Sequence, residues 1–203
     1  VEAAPACFGL AETDNNALVQ FLICSYNWNM AESPALESPA LAADSLETRI
    51  DERHALAVAR GICRLFARND IWCLPEMPLR SNRRADLMGI DAKGRIVIVE
   101  IKVSKADLLG DAKWTDYLDH CDRFYWGLAP HLDRACMETE AFLPHACGLI
   151  VADGYDAEIL RPAPSLPLAP ARRKAEIERM ARVSLRRQVV GVDPHCATWG
   201  GGE

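Results

Sequence analysis

The sequence predicts a single α/β domain built on a mixed β-sheet flanked by helices. Three observations carry this reading. Residues 86–90 and 95–102 are β-rich runs joined by the turn Asp91-Ala-Lys-Gly94, residues 123–127 and 147–152 are further runs of the same kind, and helical periodicity lies on either side of them. Half of the 203 residues are hydrophobic, enough for a core that needs no staples.

Residues 1–43 hold no clear element. The apolar run Ala17–Cys24 is not expected to be a secretory leader, because such a leader would need a positively charged start and the first 48 residues contain no Lys or Arg. Met30 is expected to be the true start, with residues 1–29 an extension outside the fold and the Ser/Pro/Ala-rich stretch 31–43 a disordered leader. The α/β core is expected over 44–161. It opens with a helix capped by Ser45 and running to Arg68, whose Ile50, Ala57, Val58, Ile62, Leu65 and Phe66 share a stripe. Asn69-Asp70 breaks that helix. Ile71–Leu74 and Met77–Arg80 form a strand interrupted by Pro75 and Pro78, which suits a sheet edge. After the 86–102 hairpin, Ser104 caps a helix that runs to about His120, with Asp107 completing a capping box. Strands follow at 123–127, 147–152 and 157–160, with a loop or one helical turn over 130–144; its His131, and His145 just beyond it, are assigned to no metal. Residues 162–190 comprise an extended linker with four prolines in 162–170 and a helix from Ala171 to about Val189 with a net charge of +5. The basic face of that helix could meet DNA or a partner, or be a solvated flank. Residues 191–203 are expected to be a disordered tail.

The chemistry concentrates at the head of the hairpin. Glu100 and Lys102 are two apart on one strand and so share a face, and in a hairpin around 91–94 Asp86 lies near the partner position of Glu100. A Glu–Lys pair at a strand end would explain two of these residues. Adding Asp86 favours a second explanation, because carboxylates on adjacent strands repel unless a cation lies between them. Two carboxylates around a hard divalent ion, with an ammonium beside it, form an apparatus for attacking a phosphodiester: the metal acidifies a water and Lys102 orients it. Oxygen donors suit Mg²⁺ or Mn²⁺ better than zinc, with Asp86, Glu100 and the Ile101 carbonyl as ligands. Glu76 is either a further ligand from the neighbouring strand or an exposed edge acid. Strand alternation puts Arg84 on the face of Asp86, where its guanidinium could meet a phosphate, and Lys105, one residue into the next helix, is a further candidate contact.

Asp86, thirteen residues, then Glu100-Ile101-Lys102 resembles the Asp…(Glu/Asp)-x-Lys signature of restriction-endonuclease-like nucleases. The surrounding words are more specific. Arg83-Arg84-Ala85-Asp86, Ile98–Ser104, Asp111-Ala112-Lys113-Trp114 with Tyr117, Cys121–Tyr125 and Gly148–Gly154 are similar to the MmcB-like DNA-repair family of bacteria, over about residues 50 to 187. The resemblance implies a restriction-endonuclease-like fold, a DNA-repair role and Mg²⁺-dependent hydrolysis of DNA. It also implies that Lys113 and Tyr117, on the helix after the Glu-x-Lys strand, contact phosphate or base, and that Glu52 on the first helix is a candidate ligand. A first-turn acid favourable to the helix dipole is the simpler account of Glu52, and core packing the simpler account of Trp114.

Charge and cysteines set further bounds. Residues 1–52 carry nine acids and one arginine, which leaves the remaining 151 residues at +2 of the total of −6. That suits an enzyme meeting DNA at a local groove and excludes a broad cationic coat. The eight cysteines show no zinc spacing, and those in apolar runs read as buried reduced thiols, which places the protein in the cytoplasm, at the nucleoid if it acts on DNA. No apolar run approaches the roughly twenty residues that span a bilayer. Expected partners are DNA and other repair proteins, in a monomer or a homodimer. The competing function is a catalytically silent adaptor that binds DNA and recruits another repair enzyme.

Overall fold

A computed structural model describes residues 39–110 and 113–198, with side chains from residue 50 onward. The expected extension over 1–38 and the tail tip, 199–203, lie outside the described residues, as do Asp111 and Ala112.

The first helix, α1, spans Pro39–Arg68. It begins earlier than expected: Ser45 is inside it rather than at its cap, and residues 39–43 are helical rather than leader. Pro39 suits an opening turn, and the Ala-Leu-Ala-Ala that follows has high helix propensity. Asn69 ends the helix by donating to the Leu65 carbonyl at 2.8 Å, and Asp70 turns the chain with φ 55°.

Six strands follow: β1 Ile71–Pro78, β2 Arg84–Asp91, β3 Ile96–Lys102, β4 Arg123–Leu128, β5 Cys147–Ala152 and β6 Ala157–Arg161. They lie in sequence order in one mixed sheet. β1, β2 and β3 are successively antiparallel, β3, β4 and β5 are parallel, and β6 returns antiparallel. The β2–β3 turn forms as its sequence directs. The Asp91 carboxylate accepts from the Lys93 and Arg95 N–H groups at 2.9 Å, and Gly94 takes φ 74°. β1 is an edge strand, as its two prolines require.

Two parallel connections progressing in the same direction, each right-handed, must pass over the same sheet face. One runs through α2, Lys105–Gly110, and a 3-10 helix, Trp114–His120. The other runs through two 3-10 turns, Ala135–Glu138 and Glu140–Phe142. The segment expected as one helix to His120 is thus two pieces of different pitch. Trp114, Tyr117, Met137 and Phe142 from these connections join Ile96, Ile98, Phe124 and Trp126 in one core. The opposite face, with Val97, Val99 and Ile101, is covered by Val58, Ile62 and Phe66 of α1. Gly61 lets α1 come close to the β5–β6 turn: a Cβ there would lie 2.3 Å from the Asp153 carbonyl oxygen.

The proline-rich stretch is extended but docked, so it is not a free linker. Leu168 is buried, its N–H donates to the Asp122 carboxylate at 2.8 Å, and the Leu166 N–H donates to the Asp122 carbonyl at 2.8 Å. The last helix, α3, spans Pro170–Val192 and packs Met180, Ile177 and Val183 on the connection-side core. The expected disordered tail is corrected over 191–198, since α3 extends to Val192 and Pro194–Thr198 forms a 3-10 turn.

Asp122 fastens this C-terminal part. It is 1% exposed and accepts hydrogen bonds from the Ile96 and Leu168 N–H groups and from Arg173. Burial alone would raise its pKa, but the Arg173 guanidinium and the two backbone donors outweigh burial and hold the carboxyl below its ordinary value. Stability from this carboxylate is therefore present above the unfolded pKa of about 3.9 and is lost as pH falls through the lower folded value. Asp122→Asn is expected to cost about 3 kcal/mol at pH 7, a fall in Tm of about 10 °C by differential scanning calorimetry, with the gap to wild type closing in acid.

Candidate functional site

β3 is buried at every position, and it ends in Glu100 and Lys102, whose exposures are 6% and 3%. The β2–β3 ladder stops at Leu87↔Val99, so the next pair in register is Asp86 and Glu100. There the two strands part. The Asp86 carboxylate fills the fork and accepts the Ile101 N–H at 2.6 Å, the donor that would otherwise continue the ladder. In a strand the N–H and C=O of one residue point to the same edge, so the Ile101 carbonyl faces this fork too.

Pro75↔Leu87 and Met77↔Ala85 bracket the β1 side, which sets Glu76 across from Asp86. Three carboxylates, Glu76, Asp86 and Glu100, therefore stand at one level across three adjacent strands. Lys102 Nζ lies 3.3 Å from Glu100 Oε1 and 3.1 Å from Asp107 Oδ1. Sequence reasoning gave Asp107 a capping role only. The Ser104 hydroxyl does cap α2, accepting from the Asp107 N–H at 3.3 Å, while the Asp107 carboxylate reaches back to the strand end. Its position in the first turn of the helix that directly follows Lys102 was the available signal.

Arg84 pairs with Glu76, and its side chain is 67% exposed at the mouth of the fork. Arg83 turns the other way, to Asp116 at 3.4 Å and over the Tyr117 ring at 5.8 Å.

Other expected contacts fall elsewhere. Tyr117 is 3% exposed and stacked on Phe124, and its hydroxyl donates to the Arg84 carbonyl at 3.1 Å. It braces the strand that carries Arg84 and offers no ring face to a base. The pitch explains the difference: four residues along a 3-10 helix do not return to the same side, so Tyr117 points inward while Lys113 is exposed. Lys105 is exposed at the start of α2. Trp114 packs on Phe124 and Trp126 as core. Glu52 is exposed on α1, the helix that covers the sheet face opposite the Ile96/Ile98 side, and does not join the cluster. His131 Nε2 lies 2.9 Å from the Val103 carbonyl oxygen, and His145 is solvated, so neither belongs to it.

Among the described residues Glu76, Asp86, Glu100 and Asp107 face Lys102 and Arg84, with the Arg187 guanidinium beside Glu76. Burial, with the repulsion of Glu76 and Asp107, pushes the Asp86 carboxyl up to about 6 against the opposing Ile101 N–H and Lys102. Among the described residues, no three His, Cys, Asp or Glu side chains form a ready-made metal cage. Asp86 and Glu100 occupy facing positions in register, and the Ile101 carbonyl points to the same edge, so all three present hard oxygens at the head of the hairpin. That set fits Mg²⁺ or Mn²⁺ in chemistry.

The raised Asp86 pKa has a stability consequence. Between the ordinary value of about 3.9 and a folded value of about 6, the folded state holds the extra proton, so the charged form weakens the fold above pH 6. Asp86→Asn keeps an oxygen for the Ile101 N–H and removes the charge. In metal-free buffer it is expected to raise stability by about 2 kcal/mol at pH 8, seen as a Tm higher by roughly 5 °C, with the gain fading below pH 6 and gone below about pH 4.

Among the described residues no helix is long and apolar enough to cross a membrane. No curated protein matches the chain. A solved structure similar to it is the SPO1766 protein of unknown function from Silicibacter pomeroyi, 39% identical, with a TM-score of 0.61 over 72% of this chain and 94% of that one. Residues 42–194 match the family model for DNA repair proteins of the MmcB-like kind. That match spans the hairpin, the acidic fork and the docked C-terminal helix, and the chain belongs to the MmcB-like family of DNA repair proteins.

Proposed function

We propose that the protein is a metal-dependent nuclease that hydrolyses DNA phosphodiester bonds during repair. The observation that carries this reading is the fork itself, where Asp86 and Glu100 stand opposite each other with Lys102 two residues on. Asp86, Glu100 and the Ile101 carbonyl would hold Mg²⁺ or Mn²⁺, with Glu76 as a further donor. When bound, the ion lowers the pKa of a water and offsets charge developing on phosphorus. Lys102, held by Glu100 and Asp107, orients the attacking water and adds positive charge beside the phosphate. Arg84, exposed at the mouth, meets the phosphodiester, and Lys105 and Lys113 extend that contact along the backbone.

A second reading is supported by the burial of Lys102, whose side chain is 4% exposed between two carboxylates. A closed ion-pair cluster of that kind suits an adaptor that binds DNA and recruits another repair enzyme.

Labelled single-stranded, duplex, flap and branched DNA, incubated with Mg²⁺ or Mn²⁺, separates the two. The nuclease reading expects cleavage of at least one substrate by wild type and a loss of roughly 10²- to 10⁴-fold in Lys102→Ala. Structure-selective binding without cleavage, equal in wild type and Lys102→Ala, would overturn it in favour of the adaptor. Under either reading, Arg84→Ala is expected to weaken DNA binding and to reduce the slope of log affinity against log salt by about 1.

A further inference from the structure

Glu76 lies within an edge strand yet takes φ 51°, a left-handed conformation unusual for a residue with a side chain. The strand changes face there: Ile71 and Cys73 pack against the α1 side, whereas Met77 and Leu79 pack against the other. A second consequence concerns the carbonyls. In a regular strand successive carbonyls point to opposite edges, but the turn at Glu76 brings those of Pro75 and Glu76 to one guanidinium. Arg187 Nη1 donates to the Pro75 carbonyl at 2.6 Å and Nη2 to the Glu76 carbonyl at 2.7 Å. The planar fork of arginine suits this double contact, and a lysine could not reproduce it.

Arg187 comes from α3, far along the chain from the hairpin. The helix that carries it is fixed at three other points: Arg173 on Asp122, Glu176 Oε1 at 2.9 Å from His120 Nδ1, and Met180 in the core. The guanidinium takes hold of Glu76 by its main chain and lies close enough to its carboxylate to interact with it, while Arg84 pairs with that carboxylate directly.

We propose that Arg187 is a positioning residue of the fork: by holding two successive carbonyls it fixes the left-handed backbone at Glu76 and so sets its carboxylate near Asp86. Through this contact the C-terminal helix would bring a further donor toward a divalent cation held at Asp86 and Glu100. This role rests on the metal site proposed above.

Calorimetric titration of the full chain with Mn²⁺ tests it, alongside thermal melts and independently of DNA cleavage. Glu76→Gln and Arg187→Ala are each expected to weaken Mn²⁺ affinity by roughly 10- to 100-fold, as loss of supporting contacts around metal ligands does. The double variant is expected to be no weaker than either single, because Arg187 acts through Glu76. Arg187→Lys, which can satisfy one carbonyl, should fall between wild type and Arg187→Ala, and it carries the test if Arg187→Ala does not fold. Wild-type Mn²⁺ affinity in Arg187→Ala or Arg187→Lys, with only the melting temperature lowered and with Glu76→Gln impaired, would make Arg187 a structural staple and overturn the proposal. Additive losses in the double variant would overturn it as well. Absence of Mn²⁺ binding by wild type would overturn the metal site itself and this role with it.

Discussion

A central strand that is buried along its whole length and ends in charge is the constraint on which the rest of the structure depends. Ile96 to Ile101 can be covered by hydrocarbon on both faces, but Glu100 and Lys102 cannot be left unanswered in the same dry layer. A buried charge without a partner costs several kcal/mol, more than a surface ion pair returns. The chain answers locally. Asp107 comes back from the first turn of α2, the Ile101 N–H meets Asp86, and Tyr117 braces the strand that presents Arg84. These contacts build a polar fork at the one point where β2 and β3 separate.

Topology decides which parts of the chain can reach that fork. The two parallel connections share a face because each is right-handed, and they leave the opposite face to α1. An acid on α1 such as Glu52 therefore lies on the other side of the sheet, whereas the edge strand β1 adjoins β2 and brings Glu76 beside Asp86. The same partition gives α3 its place. It lies over the connection-side core and along β1, so a residue a hundred positions downstream of the hairpin supports the hairpin's neighbour.

Much of this was legible in the residues, wherever the signal was local. The β-branched run before Glu100, the Asp-Ala-Lys-Gly turn and the prolines of the edge strand each have one physical meaning, and the strands formed where these signals put them. The facing of Asp86 and Glu100 was legible because a period of two and a tight turn fix which residues face each other. What the sequence did not disclose depends on pitch or on distant partners. Lys113 and Tyr117 share a face on an α-helix but not on the 3-10 helix that forms. The helix starting at Pro39 overrode a good capping residue at Ser45. The docking of 162–198 rests on Asp122 and Arg187, whose partners are separated from them by tens of residues and leave no periodic trace. Asp107 looked like half of a capping box because the same carboxylate can serve a helix terminus or a strand end.

The balance of charge at the fork separates a structural role from a chemical one. An ion-pair cluster that serves only folding gains most when acids and bases match, since each unmatched charge in a dry setting subtracts from stability. Among the described residues the four carboxylates of the fork meet three cations, Lys102, Arg84 and Arg187, and burial, with the repulsion of Glu76 and Asp107, raises the pKa of the Asp86 carboxyl. A further acid, Glu76, is brought to the same level by an edge-strand residue in a left-handed conformation that costs free energy of its own. Removing the Asp86 charge would ease the fold, so that acid is not accounted for by what the domain needs to stay folded. On the nuclease reading a divalent cation would account for it, by turning repulsion among Glu76, Asp86 and Glu100 into shared attraction while leaving Lys102 where a water and a phosphate would meet it. An adaptor could keep the sheet, the helices and the exposed Arg84 without this arrangement, and the unbalanced fork is the feature by which the nuclease reading explains more of the structure.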